Sequence, residues 1–133
     1  LESFFEDHPE KRENVIFTGP IYDKKELWGY YNKSKVFVFT SEWESFGLVL
    51  VEAKRFRNYI LTTPVGAAHD IIEDGQYGDL LKNNDDKDLA VKLQEIINGN
   101  TQIDVYEDFD PLPLSYENLI KIVAEKLKTT SAH

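Results

Sequence analysis

The chain has 133 residues, 41% of them hydrophobic and 13% aromatic, which amounts to one globular domain. With 24 acidic against 15 basic side chains, the net charge of −9 argues against a nucleic-acid surface and against adsorption to anionic lipid. Cysteine is absent, so disulfides and thiolate metal sites are excluded, and no apolar run approaches the roughly 20 residues of a membrane-spanning helix.

In chain order, Leu1 to Phe5 reads as the tail of a helix, and the charged stretch from Glu6 to Asn14, with Pro9, as a loop. Val15 to Thr18 predicts a strand closed by the turn signal Gly19-Pro20. Asp23 reads as the N-cap of a helix to about Asn32, with Leu27, Tyr30 and Tyr31 on its inner face. The continuous apolar run Val36 to Thr40 is that of a strand covered on both faces. After it come polar residues, Gly47, and an apolar run whose spacing predicts a largely buried helix over about Phe46 to Arg57.

Tyr59 to Thr63 predicts the next strand, ended by Pro64. Ala67 to Glu73 predicts a short helix, Asp79 to Lys82 a short strand, and Asp85 or Asp86 the cap of a helix to about Ile97. Asn98-Gly99-Asn100 closes that helix, and residues 101–113 read as an acidic connector. Ser115 reads as the cap of a final amphipathic helix carrying Leu119, Ile120, Val123 and Leu127. The alternation of strands and helices predicts an α/β fold with a parallel sheet.

The chemistry concentrates at Ser41 to Ala53. A strand, a short loop and a buried helix start make an anion site, because the first helical amides lack intrahelical partners and the dipole is positive there. Gly47 lets a ligand approach the backbone. Glu44 and Glu52 stand eight positions apart, roughly 12 Å at helical rise. That exceeds the about 5–9.5 Å of a hydrolase carboxyl pair. It suits two carboxylates gripping hydroxyls at opposite ends of a long ligand with phosphates between, the layout of a nucleotide-sugar.

At these residues the chain resembles the C-terminal, donor-binding half of retaining GT-B glycosyltransferases, specifically glycosyltransferase family 4 (group 1). The resemblance is carried by Ser41-x-x-Glu44-Ser45-Phe46-Gly47-Leu48 with Glu52-Ala53. It is flanked by Val15-Ile16-Phe17-Thr18-Gly19, by Glu26-Leu27-x-x-Tyr30, and by Val65-Gly66-Ala67-Ala68-x-Asp70 onward to Gly78. It implies a Rossmann-like parallel sheet with flanking helices. The whole of 1–133 is then part of a nucleotide-sugar-binding domain lacking its first strands, a basic Arg/Lys pair at the pyrophosphate, and the acceptor-binding N-terminal domain. The absence of methionine agrees with an excised piece.

The resemblance implies transfer of a hexosyl-type group from a nucleoside-diphosphate sugar to an acceptor glycan or lipid-linked glycan, with retention. The fragment alone is expected to be inactive. Glu44 would be the catalytic residue and contact the donor sugar, by a front-face route without a covalent intermediate. Ser45, Phe46, Gly47 and Leu48 would face the pyrophosphate and sugar, and Glu52 the ribose hydroxyls. Gly19, Pro20 and Ile21 would lie against the base. No cofactor and no metal are implied. The expected location is cytoplasmic or at the inner face of the membrane, with any membrane contact made by other parts of the protein.

Plainer readings stand beside these. Glu44 could be a loop carboxylate favouring the helix dipole, Glu52 a local partner of Arg55, and Gly19-Pro20-Ile21 an ordinary turn. Phe46 packs in the core on either reading. Lys54, Arg55 and Arg57 read as a solvated basic face at the helix end. Arg57 stands where the family has Gly, which puts the helix-to-strand turn in question. His8, His69 and His133 lack partners at metal or triad spacing. The competing function is a non-catalytic Rossmann-like binding or scaffold module. A dinucleotide-binding dehydrogenase domain fails for want of a G-x-G-x-x-G after any strand.

Overall fold

The computed structural model describes residues 2–82, 85–111, 118 and 121. Three strands, β1 (Val36–Phe39), β2 (Tyr59–Thr62) and β3 (Gly78–Leu80), form one parallel sheet in the order β1-β2-β3. The helices are α1 (Glu2–Asp7), α2 (Lys24–Lys33), α3 (Leu48–Arg55), α4 (Ala68–Ile71) and α5 (Asp86–Ile97). The architecture is α/β and Rossmann-like, as read from the sequence.

Capping fixes the two longer helix starts. The carboxylate of Asp23 accepts the Lys25 amide at 2.7 Å, and that of Asp85 accepts the Lys87 amide at 3.0 Å. Each satisfies an otherwise orphaned N-terminal donor. The period of two along β2 then divides the core. Ile60 joins Tyr31, Leu50, Val51, Ala53, Ala68, Ile71 and Ile72 under α2, α3 and α4. Tyr59 and Leu61 face the other way, with Leu81, Leu89, Leu93, Ile96, Ile103 and Val105. Burying side chains such as Leu50, Ile60, Leu61 and Ile72 stabilises the fold by about 1.5–3 kcal/mol each. At the centre β3 comes so close that a Cβ on Gly78 would stand 2.0 Å from the Ile60 carbonyl oxygen.

Three expectations are corrected. The strand expected at Val15 to Thr18 is not formed: the segment takes no sheet assignment and lies exposed, Ile16 at 79% and Phe17 at 64%. A short run becomes a strand only when a neighbour takes its amides and carbonyls, and the three-stranded sheet, with β1 at its edge, does not pair with this segment. Phe17 instead packs edge-on against the buried Phe5 of α1, ring centroids 5.8 Å apart. The expected loop before it contains a 3-10 helix, Pro9–Asn14, which Pro9 favours by presetting φ at the first position.

Lys54 does not belong to a solvated face. It is 5% exposed and donates from Nζ to the Ile71 carbonyl at 2.8 Å and to Glu73 at 2.6 Å. Its ammonium also lies 4.3 Å from the centre of the Tyr77 ring, a cation–π contact. Arg55 and Arg57 are exposed as expected.

The helix-to-strand turn at Arg57 keeps its geometry without glycine, because Arg57 itself takes φ +62°. Asn58 then locks the turn, donating from Nδ2 to the carbonyls of Tyr31 at 2.8 Å and Ser34 at 2.6 Å. The connector, described over 101–111, packs on the domain: Tyr106 is buried, stacks on Tyr77 at 4.8 Å and donates to the Asn58 carbonyl at 2.6 Å. The final helix from Ser115 lies outside the described residues, apart from Asn118 and Lys121.

Candidate functional site

The strands end together, and the loops that follow β1 and β2 are tied to one another. The Thr63 hydroxyl donates to the Ser41 carbonyl, and the Ala67 amide to the Phe46 carbonyl at 3.0 Å. Ser41 shapes its own loop as well. Its hydroxyl donates to the Trp43 carbonyl at 2.7 Å and accepts the Trp43 amide at 3.4 Å. Parallel sheets present ligands at this carboxyl end, where chain crossing leaves a crevice.

Glu44 is half-buried, and its Oε1 accepts the amides of Ser45 at 2.9 Å and Phe46 at 3.4 Å. Two of the amides expected to face a ligand are therefore held by the neighbouring carboxylate in this state. Gly47 follows with φ +93° as the N-cap of α3 and contributes no side-chain cap. The start of α3 at Leu48 is open in that sense, with the positive end of its dipole beside the loop. Leu48 is 48% exposed.

In the sequence Gly66 stands out only as part of a motif, yet the geometry gives it a definite task. Its φ is +55°, and a Cβ there would stand 3.0 Å from the Phe46 carbonyl carbon and oxygen and 3.2 Å from the Glu44 carbonyl oxygen. The loop after β2 thus supports the back of the Glu44 loop. The sequence signal for it is a Gly two residues after the strand-ending Pro64.

Glu52 is half-buried on α3 and lines a cavity of about 200 Å³ with Trp28, Arg55, Phe56 and Pro111. Four residues of helix separate it from Leu48, roughly 6 Å. A second cavity of about 340 Å³ lies where β1 and β3 end and α5 begins, lined by Thr40, Glu42, Leu81, Asp85, Asp86 and Leu89. Neither glutamate of the spaced pair lines it; the two are placed along one loop and the helix that follows. Gly19 and Pro20 are exposed and Ile21 is half-buried in the segment before α2.

Among the described residues no group of three or more His, Asp or Glu side chains could hold a metal ion. His69 pairs with Asp74 at 2.9 Å on the surface. Two tyrosines away from the loop have perturbed hydroxyls. Burial, then the charge and hydrogen bond of Asp79, pushes Tyr59 up from 10.0 to about 12. Burial first, then Tyr77, Glu73 and Tyr59, raises Tyr106.

Sheet, loop and open helix start define a Rossmann-like α/β domain with its crevice at the strand ends. The chain belongs to the glycosyl transferases group 1 family, whose model matches residues 6–110. It is 36% identical over 91 residues to an uncharacterized 41.2 kDa protein in the cps region of Klebsiella pneumoniae, covering 68% of this chain and 24% of that protein. It is 36% identical over 72 residues to the capsular polysaccharide biosynthesis glycosyltransferase CapM of Staphylococcus aureus, covering 54% and 19%. To the D-inositol 3-phosphate glycosyltransferase of Nocardiopsis dassonvillei it is 32% identical over 84 residues, covering 63% and 20%. The chain therefore spans a quarter or less of the length of these relatives. Among the described residues no helix is long and apolar enough to cross a membrane.

Proposed function

We propose that the protein transfers a glycosyl group, with retention, from a nucleoside-diphosphate sugar to a hydroxyl acceptor, and that this chain supplies part of the donor site. The observation that carries the reading is the conjunction at one helix start: left-handed Gly47 opening α3, Glu44 just before it and Glu52 one turn in. The diphosphate would lie at the amides of Gly47 and Leu48, where the dipole favours an anion. Glu44 would take hydroxyls of the donor sugar, and Glu52 the ribose diol. Gly19, Pro20 and Ile21 would border the base. The acceptor, a glycan or lipid-linked glycan, would be held by residues outside this chain. The relatives named for capsular polysaccharide biosynthesis and for inositol phosphate glycosylation support a hydroxyl acceptor.

In the front-face route, the bond from the sugar's anomeric carbon to the phosphate oxygen breaks as the acceptor oxygen bonds to that carbon on the same face. The acceptor proton passes to the departing phosphate, which leaves as nucleoside diphosphate. The activated sugar brings its own leaving group, so the reading assigns no cofactor. Glu44 would act electrostatically, stabilising positive charge that develops on the sugar. The test is calorimetry and radiolabelled transfer with the full-length protein and UDP-, GDP- and ADP-sugars. Binding of at least one nucleoside diphosphate and transfer from the matching sugar are expected. Failure to bind any of them refutes the reading.

A further inference from the structure

Trp43 is 79% exposed, although an indole is among the side chains that folding most often covers. It does not sit on a loose segment. The Ser41 hydroxyl bonds both its carbonyl and its amide, and Thr63 anchors Ser41 in turn. On the other side Glu44 closes on the amides of Ser45 and Phe46, and Gly66 buttresses the loop from behind. The loop therefore fixes the backbone from which a large apolar ring stands in water, part of the preorganisation a binding surface needs.

The chemistry beside it selects the ligand. A pyranose has a rim of hydroxyls and two faces of C–H bonds. The rim calls for hydrogen-bond acceptors and the faces for a flat apolar ring with a polarised π surface. Glu44 and Trp43 are consecutive and supply one of each. We infer that Trp43 is the stacking platform for the pyranose ring of the donor, and so a specificity-determining residue. This rests on the assignment of Glu44 to the donor sugar.

The test uses the full-length protein with matched pairs, UDP with UDP-glucose, GDP with GDP-mannose and ADP with ADP-glucose. Trp43→Ala should weaken the nucleotide-sugar by roughly 3- to 10-fold, the value of an aromatic contact, with the bare nucleotide unchanged. Trp43→Phe should restore most of the loss. Undiminished nucleotide-sugar affinity in Trp43→Ala, or equal losses for sugar-bearing and bare nucleotide, overturns the platform while leaving the proposed function intact. A wild-type protein that binds neither member of any of the three pairs sinks the function, and the inference with it.

Discussion

The carboxylate of Glu44 accepts the amide of the next residue, Ser45, at 2.9 Å. The side chain assigned to the donor sugar is thus already held by its own loop, and a sugar hydroxyl would meet a positioned acceptor. Glu44→Gln keeps a side-chain oxygen for the Ser45 amide but loses the charge. Turnover of the full-length protein should fall about 10- to 100-fold, the worth of one charge-assisted contact. Thermal stability and nucleotide affinity should hold. Preserved turnover in a variant that binds donor normally would remove Glu44 from the chemistry.

Glu52→Ala should weaken nucleoside diphosphate itself, because ribose is present with or without the sugar. The expected loss is about 1.5–3 kcal/mol. Isothermal titration with UDP and GDP reads it directly. An unaltered affinity means that Glu52 serves the packing of Trp28, Arg55 and Phe56 around its cavity instead.

Gly66→Ala places a methyl 3.0 Å from the Phe46 carbonyl in a left-handed backbone. We expect about 1–3 kcal/mol of lost stability and weaker donor binding together. Gly99→Ala is the control: its φ is also positive, at +74°, but nothing lies within 4 Å of the added Cβ. It should cost the backbone strain alone and leave the donor untouched. Equal effects of the two on donor affinity would sever the link between the loops.

Lys54→Met keeps an apolar stem near Tyr77 but abandons the Ile71 carbonyl and Glu73. Glu73 is half exposed and can turn to water, so the cost should be modest for a buried cation, about 1.5–3 kcal/mol. Chemical denaturation measures it. A stable Lys54→Met would mean that the charge there is dispensable.

Tyr59 holds its proton to about pH 12 in the fold, against 10.0 for a free phenol. Below pH 10 both folded and unfolded chains are protonated, and the stability is complete. Between pH 10 and about 12 the unfolded chain releases the proton first, so stability falls as pH rises through that window. Denaturation midpoints across it should drop less steeply in Tyr59→Phe than in wild type. Identical slopes would show that this hydroxyl is not coupled to folding.

Much of the framework is legible in the sequence because its causes are local. Asp23 and Asp85 announce helix starts, and the runs at Val36 and Tyr59 announce covered strands. The spaced glutamates and Gly47 mark the loop for the same reason. What escapes depends on distant partners. Val15 to Thr18 has a strand's composition but takes no place in the sheet. Lys54 reads as a surface cation until Ile71, Glu73 and Tyr77 arrive from seventeen or more positions away. The positive φ of Arg57 is invisible because its residue type argues against it.

The support of Phe46 by Gly66 and Ala67 limits how this site can be moved. A designer who transplants Ser41 to Glu52 onto another parallel sheet, hoping to carry the donor chemistry along, would leave its backing behind. Thr63, Gly66 and Ala67 would have to travel with it, in the same register at the end of the adjacent strand. The unit of exchange among such domains is a pair of neighbouring strand ends, and a single motif copied alone should arrive misshapen.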